Sequence, residues 1–213
     1  MTVQNSSGVF VRELGITGYA EVFAEMQRFT EHRNAETPDE IWFTEHHPVF
    51  TQGQAGKPEH LLLPGDIPVV QTDRGGQVTY HGPGQIVGYL LFDLKRMGIG
   101  PRALVRGIEA SICSVLLKYS IEAANREDAP GVYVAGNKIA SLGLRIRRGC
   151  SYHGLSLNVS MDLEPFQRIN PCGLVGMEVT EMAALTNSVA IEQVKDQLEL
   201  ALFETFQLNK KLI

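Results

Sequence analysis

The segment Arg74-Gly-Gly-Gln-Val-Thr-Tyr-His-Gly-Pro-Gly-Gln85 contains five glycines and prolines in twelve residues, yet most of its other side chains can form hydrogen bonds. Apolar runs precede it at Ile67–Gln71 and follow it at Gln85–Asp93. Glycine lets a backbone approach a ligand closely. The pattern therefore predicts a binding loop between two buried strands; the plainer alternative is an ordinary hairpin connection. No dinucleotide or phosphate-loop motif is present.

Length and composition set the broad class. The 213 residues fit one large domain, 1–213, and a 44% hydrophobic content is enough for a core. The net charge of −5 argues against nucleic-acid binding. No apolar run is long enough to span a membrane, and no signal peptide is visible. With three scattered cysteines as well, we expect a cytoplasmic protein without disulfides.

Hydrophobic periodicity predicts three helices. Apolar residues from Tyr19 to Phe29 recur at helical spacing, which predicts a helix over about 18–33. Pro101 suits a first helical position, and the spacing from Leu104 to Tyr119 predicts a buried face with Cys113 beside it as a core thiol. A third amphipathic pattern predicts a helix over about 189–207.

Strands account for most of the remainder. Leu61–Leu63 are expected to pin a surface loop, 53–68, to the body. Predicted strands are Val9–Glu13, Asp39–Glu45 (continued through His46–Thr51 after a break at Pro48), and the meander Val132–Val134, Lys138–Ile146 and Ser151–Val159. The prolines of 162–176 indicate irregular structure. This alternation predicts an α/β (α+β) fold, a mixed β-sheet flanked by helices.

Cys172 and Lys138 are the leading candidates for chemistry. Cys172 lies between Pro171 and Gly173, in a turn that is poorly suited to filling a core. A nucleophilic thiol must ionise, and a nearby cation promotes this. The candidate cations are Lys138, His81, His153 and Arg74. Lys138 is the leading one, because a lysine at the start of an apolar strand could project into a cleft. The alternatives are a loop thiol without a role and a solvated strand-end lysine.

The histidines and a basic cluster are less specific. Tyr-His-Gly occurs twice, around His81 and His153, and each histidine alone is more often structural. The pair His46-His47 lacks the companions of a metal site, so no metal is predicted. Residues 145, 147 and 148 are arginines, read either as a solvated strand edge or as a dock for an acidic partner.

Several ordered motifs together resemble the octanoyltransferase family of lipoate biosynthesis. They are the glycine-rich segment 74–85, Gly136-Asn-Lys-Ile-Ala-Ser141, His153-Gly-Leu155, Asn170-Pro-Cys-Gly173 and His46-His-Pro-Val-Phe-Thr-Gln-Gly53. The similarity extends over about residues 10–205 and implies the catalytic fold of biotin and lipoate protein ligases.

That resemblance implies transfer of an octanoyl group from octanoyl-acyl carrier protein to a lysine of a lipoyl domain, in 2-oxoacid dehydrogenases or the glycine cleavage H protein. Cys172 would carry the acyl group as a thioester and Lys138 would move the proton, without a cofactor. The implied substrate-binding residues are Arg74, Gly75, Gly76, Gln77, Val78, Thr79, Tyr80, His81, Ala140, Ser141, Leu142, His153, Gly154 and Leu155.

Other functions remain open on the sequence alone. They are an ATP-dependent lipoate or biotin ligase of the same fold, a hydrolase using Cys172 with a histidine, and a non-catalytic binding module. For acyl transfer, the tetrahedral oxyanion needs fixed donors, and the backbone amides of Gly75-Gly76 or Cys172-Gly173 are the expected ones.

Overall fold

The computed structural model describes residues 8–126, 129–173 and 176–211, and at Cys172 it describes the backbone alone. The strands are β1 (Val9–Thr17), β2 (Asp39–His46), β3 (Val49–Gln52), β4 (Val69–Gln71), β5 (Val78–His81), β6 (Gln85–Leu91), β7 (Ala124–Asn125), β8 (Gly131–Val134), β9 (Asn137–Arg147) and β10 (Cys150–Asn158). The α-helices are α1 (Tyr19–His32), α2 (Leu94–Met97), α3 (Pro101–Lys118) and α4 (Ile191–Phe206). Short 3-10 turns lie at Pro58–His60, Glu164–Arg168, Pro171–Gly173 and Met182–Ala184.

The main sheet has seven strands in the order β1-β2-β6-β10-β9-β8-β7. β1 and β2 pair in parallel, and the other neighbours are antiparallel. The predicted meander is therefore confirmed as β8, β9 and β10. Because α1 connects the parallel pair and hairpins connect the meander, the sheet is mixed, as predicted.

Helices cover both faces of this sheet, and strand alternation divides the core accordingly. Trp42, Val87 and Tyr89 point to the face under α1, where they meet Val22 and Met26. Their neighbours along the strands point to the opposite face, where α3 and α4 pack on Ile41, Phe43, Ile86 and Leu90. The three predicted long helices are confirmed, and Cys113 is a half-buried free thiol at the margin of this core.

A second sheet of three strands, β4-β3-β5, supports the glycine-rich segment. Pro48 does break the strand after His46, and β3 then enters this second sheet instead of extending β2. The expected buried entry strand is wrong, since β4 is a largely exposed edge strand. The exit strand, β6, is buried as expected.

The loop before β4 differs from its prediction in detail. Leu61 packs against the cluster around Phe50 and Phe166, so it does hold the loop to the body. Leu62 and Leu63 are 53% and 71% exposed and do not contribute. Within the described residues, no helix combines the length and apolar character needed to cross a bilayer.

Candidate active site

Two adjoining cavities lie where the glycine-rich segment crosses the main sheet. The larger, of about 390 Å³, is bordered by Lys138, Pro130, Val105 of α3 and the backbone of Gly75 and Gly76. The smaller, of about 60 Å³, extends toward Tyr19, His81 and Tyr89. Both are lined by Gly76, Gln77, Leu142 and Gly143. Together they form a slot with Lys138 at one end and aromatic side chains at the other.

Most of the predicted substrate-binding residues border this slot. The smaller cavity is lined by Arg74, Gly76, Gln77, Val78, Thr79, His81, Ser141, Leu142, His153, Gly154 and Leu155, and the larger one by Gly75. Tyr80 and Ala140 border neither cavity. Tyr80 instead packs on Phe50 and Phe166, and Ala140 lies in the core under α3.

Arg74 shapes the loop from inside. Its side chain is buried, and its guanidinium donates to both the carbonyl (2.7 Å) and the hydroxyl (2.9 Å) of Thr51 on β3. It also donates to the carbonyls of Gly75 (2.9 Å) and Gln77 (2.7 Å). The guanidinium of Arg74 therefore ties the backbone of the glycine-rich segment to β3.

Lys138 is not the solvated strand-end lysine of the plainer interpretation. It is only 3% exposed, and its Nζ donates to the carbonyl of Pro130 at 3.1 Å and lies 5.4 Å from the ring centre of Tyr133. Its backbone is fixed by bonds from its own N–H to Glu178 and from Thr180 to its carbonyl, both 2.9 Å. An ammonium group is thus held at the wall of the larger cavity.

The turn Pro171–Gly173 lies beside the same slot. Gly173 has a φ of +73°, and its N–H donates to the carbonyl of Asn170 at 3.0 Å. A Cβ at Gly173 would lie 3.2 Å from Gln77 Cγ and 3.2 Å from His60 Nε2. Because Gln77 lines both cavities, the backbone of this turn adjoins the slot. The side chain of Cys172, the predicted nucleophile, lies outside the described residues.

His46 and His81 are buried, neutral histidines near the aromatic end of the slot. His81 shares hydrogen bonds with Gln85 (2.7 Å) and Thr51 (3.3 Å), and burial, together with nearby His46, lowers its pKa to about 3. Burial likewise lowers the pKa of His46 to about 4, and its Nε2 lies 2.6 Å from the hydroxyl of Tyr89. His46 therefore belongs to a hydrogen-bonding network with Tyr89.

His153 belongs to a second polar group. Its Nε2 lies 2.9 Å from Asp73, which also accepts a bond from Tyr152. Burial opposes the ionisation of Asp73, but the bonds from His153 and Tyr152 outweigh it and lower the pKa to about 2. Burial lowers the pKa of His153 as well. A neutral imidazole beside a carboxylate therefore fixes the wall formed by β10.

Three residues at this site carry no local sequence signal that would have identified them. Tyr19 belongs to the helical stripe of α1, yet it lines the smaller cavity and stacks on His81 with ring centres 5.8 Å apart. Tyr89 lies in an apolar strand and lines the same cavity. His60 adjoins Gly173 from a surface loop. Only long-range contacts bring these residues to the slot.

The basic residues near the slot are partly neutralised. Arg145 donates to Gln54 (2.7 Å), and Arg147 pairs with Glu31 (2.6 Å). Arg148 lies at the exposed β9–β10 turn with a φ of +53°. Leu144, next to Arg145, borders the larger cavity, so this cluster lies near the slot.

Comparison with known proteins gives the family. The model of the lipoyl protein ligase A/B catalytic domain matches residues 18–203. An octanoyltransferase of Stutzerimonas stutzeri is 62% identical over 89% of this chain and 87% of that protein. One from Azotobacter vinelandii is 67% identical over 81% and 79%.

The solved structures show the same fold at low sequence identity. The crystal structure of lipoate-protein ligase A bound with ATP is 13% identical, with a TM-score of 0.81 over 97% of this chain and 88% of that one. The predicted lipoate-ligase-like fold is thereby confirmed. With the sequence matches above, the chain belongs to the lipoyl protein ligase A/B catalytic domain family, and within it to the octanoyltransferases.

Proposed function

We propose that this protein transfers an octanoyl group from acyl carrier protein to a lysine of a lipoyl domain, through a thioester on Cys172. The observation that carries the proposal is the buried Lys138 ammonium at the wall of a 390 Å³ cavity whose rim includes Gln77, the neighbour of the Pro-Cys-Gly turn. We propose octanoyl as the acyl group because the similar proteins are named octanoyltransferases.

In the first half-reaction, the Cys172 thiolate attacks the carbonyl carbon of the donor thioester. The new C–S bond forms as the carbonyl π pair moves to oxygen, and the collapsing oxyanion breaks the bond to the carrier's sulfur. That departing thiolate takes a proton from the Lys138 ammonium. Exchange of one thioester for another is nearly balanced, so ATP is not needed.

In the second half-reaction, the amine of the acceptor lysine attacks the acyl-enzyme. A solvated lysine has a pKa of about 10.4, so the acceptor ammonium first releases one proton to solvent, and the attacking amine loses a second proton as the amide forms. Lys138, neutral after the first half-reaction, accepts that proton. The attack forms the C–N bond, and collapse of the tetrahedral intermediate breaks the C–S bond, expels the Cys172 thiolate and restores the starting ion pair.

The slot suits an unbranched acyl chain. Beyond Gln77 its walls are Val78, Leu142 and Leu155 with glycine backbone, and Tyr19 and Tyr89 lie at its far end. Burial of each CH₂ group stabilises the complex by about 0.8 kcal/mol. We expect Tyr19 and Tyr89, which lie at the aromatic end, to limit the length of the acyl chain.

Both proposed protein partners are acidic, which gives the exposed arginines a function. Arg147 and Arg148 lie at the β9–β10 turn, a short distance along the strand from Leu144 at the larger cavity. On a chain with a net charge of −5, a local basic patch favours one orientation of an acidic partner.

The test is mass spectrometry of the protein after incubation with octanoyl-acyl carrier protein in buffer without ATP or Mg²⁺. We expect one octanoyl adduct, located on Cys172 and absent from Cys172→Ala. The matched control is Cys113→Ala, which removes a thiol at the margin of the core and should keep the adduct. Labelling that needs ATP would favour a ligase, and labelling or turnover that persists in Cys172→Ala would refute the thioester.

A further inference from the structure

The oxyanion of both half-reactions needs hydrogen-bond donors, and two of the expected backbone donors are already engaged. The N–H of Gly75 donates to the carbonyl of Leu144 at 3.0 Å, and that of Gly173 to the carbonyl of Asn170 at 3.0 Å. An amide committed to a strand or turn contact is poorly placed to meet a developing charge. Side chains around the turn are therefore candidate donors.

His60 is one such side chain. Its carbonyl accepts the backbone N–H of Asn170 at 2.8 Å, and its Nδ1 lies 3.4 Å from Nδ2, the side-chain amide nitrogen of Asn170. A ring whose Nδ1 accepts this bond carries its proton on Nε2. Nε2 is the atom that approaches Gly173, 3.2 Å from where a Cβ would lie. The ring is half-buried, with 13% of its side chain exposed.

Gln77 is the other, and it is anchored in a similar way. Its Oε1 accepts the N–H of Lys57 at 3.2 Å, so the acceptor end of the amide is held by the backbone. Its Cγ and Cδ lie 3.2 and 3.3 Å from the Cβ position at Gly173. Cδ carries the NH₂ group, which makes Gln77 a donor at the boundary of both cavities.

We propose that His60 Nε2–H and the Gln77 side-chain NH₂ are the donors that stabilise the tetrahedral oxyanion formed on Cys172. The inference rests on the proposed thioester at that residue. Each donor group is anchored by a second hydrogen bond, so it needs no reorganisation when the charge appears. Asn170 and the backbone of Lys57 are positioning groups that aim them.

The test uses a small donor, the octanoyl thioester of N-acetylcysteamine, and measures single-turnover acylation of Cys172. Removing one donor should slow acylation about 100-fold in His60→Leu and in Gln77→Met, with little change in donor KM. His60→Gln, which keeps an amide donor, should recover part of the rate. The controls are His32→Leu and Gln167→Met, which change exposed residues outside the slot.

A purely structural role is separated by changing the oxygen itself. The matching dithioester places sulfur where the oxyanion forms, and sulfur is a weak hydrogen-bond acceptor. The wild-type chain should therefore prefer the oxygen donor strongly, and the two variants should lose most of that preference. Misfolded variants would instead lose activity on both donors in proportion.

The two proposals fail differently. A wild-type acyl-enzyme with unchanged acylation rates in His60→Leu and Gln77→Met would overturn the donor pair alone. Slower rates with an unaltered oxygen-to-sulfur preference would also overturn it. A wild-type chain that never carries the acyl group on Cys172 would overturn both.

Discussion

Arg74 and Thr51 join the glycine-rich segment to the three-stranded sheet. The guanidinium donates to the hydroxyl and the carbonyl of Thr51 from Nη2, and to the hydroxyl again from Nε at 3.2 Å. Thr51 is fully buried on β3. The forked, planar guanidinium serves several acceptors at once, which an ammonium on a flexible stem does not. The loop that lines the slot is therefore held in place by its bonds to the buried strand β3.

Arg74→Lys should keep the charge and lose this geometry. Each unsatisfied buried acceptor costs about 1–3 kcal/mol, so we expect a clear fall in the free energy of unfolding by urea and weaker binding of the octanoyl donor. Arg145→Lys, which loses one bond to exposed Gln54, is the control and should stay near wild type. Equal stability of the two variants would contradict the assigned role of Arg74.

Gly173 should tolerate no side chain. At a φ of +73°, alanine costs about 1–2 kcal/mol of backbone strain, and its Cβ would press on Gln77 and His60. Gly176 has a φ of +78° with nothing within 4 Å, so Gly176→Ala carries the backbone cost alone. We expect Gly173→Ala and Gly176→Ala to have similar free energies of unfolding, and Gly173→Ala to have a much lower turnover than Gly176→Ala. Equal turnover would show that the turn does not depend on these contacts.

The neutral His81 should make stability depend on pH. Burial lowers its pKa to about 3, whereas an unfolded histidine binds a proton below about pH 6.5. The unfolded chain is thus favoured as pH falls from about 6.5 toward 3, by up to about 1.4 kcal/mol per pH unit. The stability gap between wild type and His81→Gln should shrink from pH 7.5 to pH 5 in urea unfolding. A gap for His81→Gln that stays constant between these pH values would refute the buried neutral ring.

Two leucines of β9 separate chain-length selection from general crowding. Leu142 lines both cavities and Leu144 only the larger one, and both are half-buried. Leu142→Phe should narrow the passage to the aromatic end and lower the rate with octanoyl relative to hexanoyl donors. Leu144→Phe should change this ratio much less. An equal octanoyl-to-hexanoyl rate ratio in both variants would show that the end of the acyl chain does not lie beyond Leu142.

Periodic apolar patterns predicted the helices and the meander because they depend on neighbours a few residues away. The sequence could not reveal that Lys138 is buried, since this depends on Pro130 and Tyr133 across the β8–β9 pair. It also could not separate Thr79 from Tyr80, because strand register decides which face each residue occupies. The position of His60 was not predicted either, because more than a hundred residues separate it from Gly173 in the sequence.

The most direct test is a chase of the isolated acyl-enzyme. Octanoylated protein, freed of donor, is mixed with an apo lipoyl domain, and the octanoyl group is followed by mass spectrometry in the wild type and in Lys138→Met acylated beforehand. We predict that the wild type passes the group to the acceptor lysine in a single turnover and that Lys138→Met retains it on Cys172. Release as free octanoate, or equally fast transfer by Lys138→Met, would contradict the account.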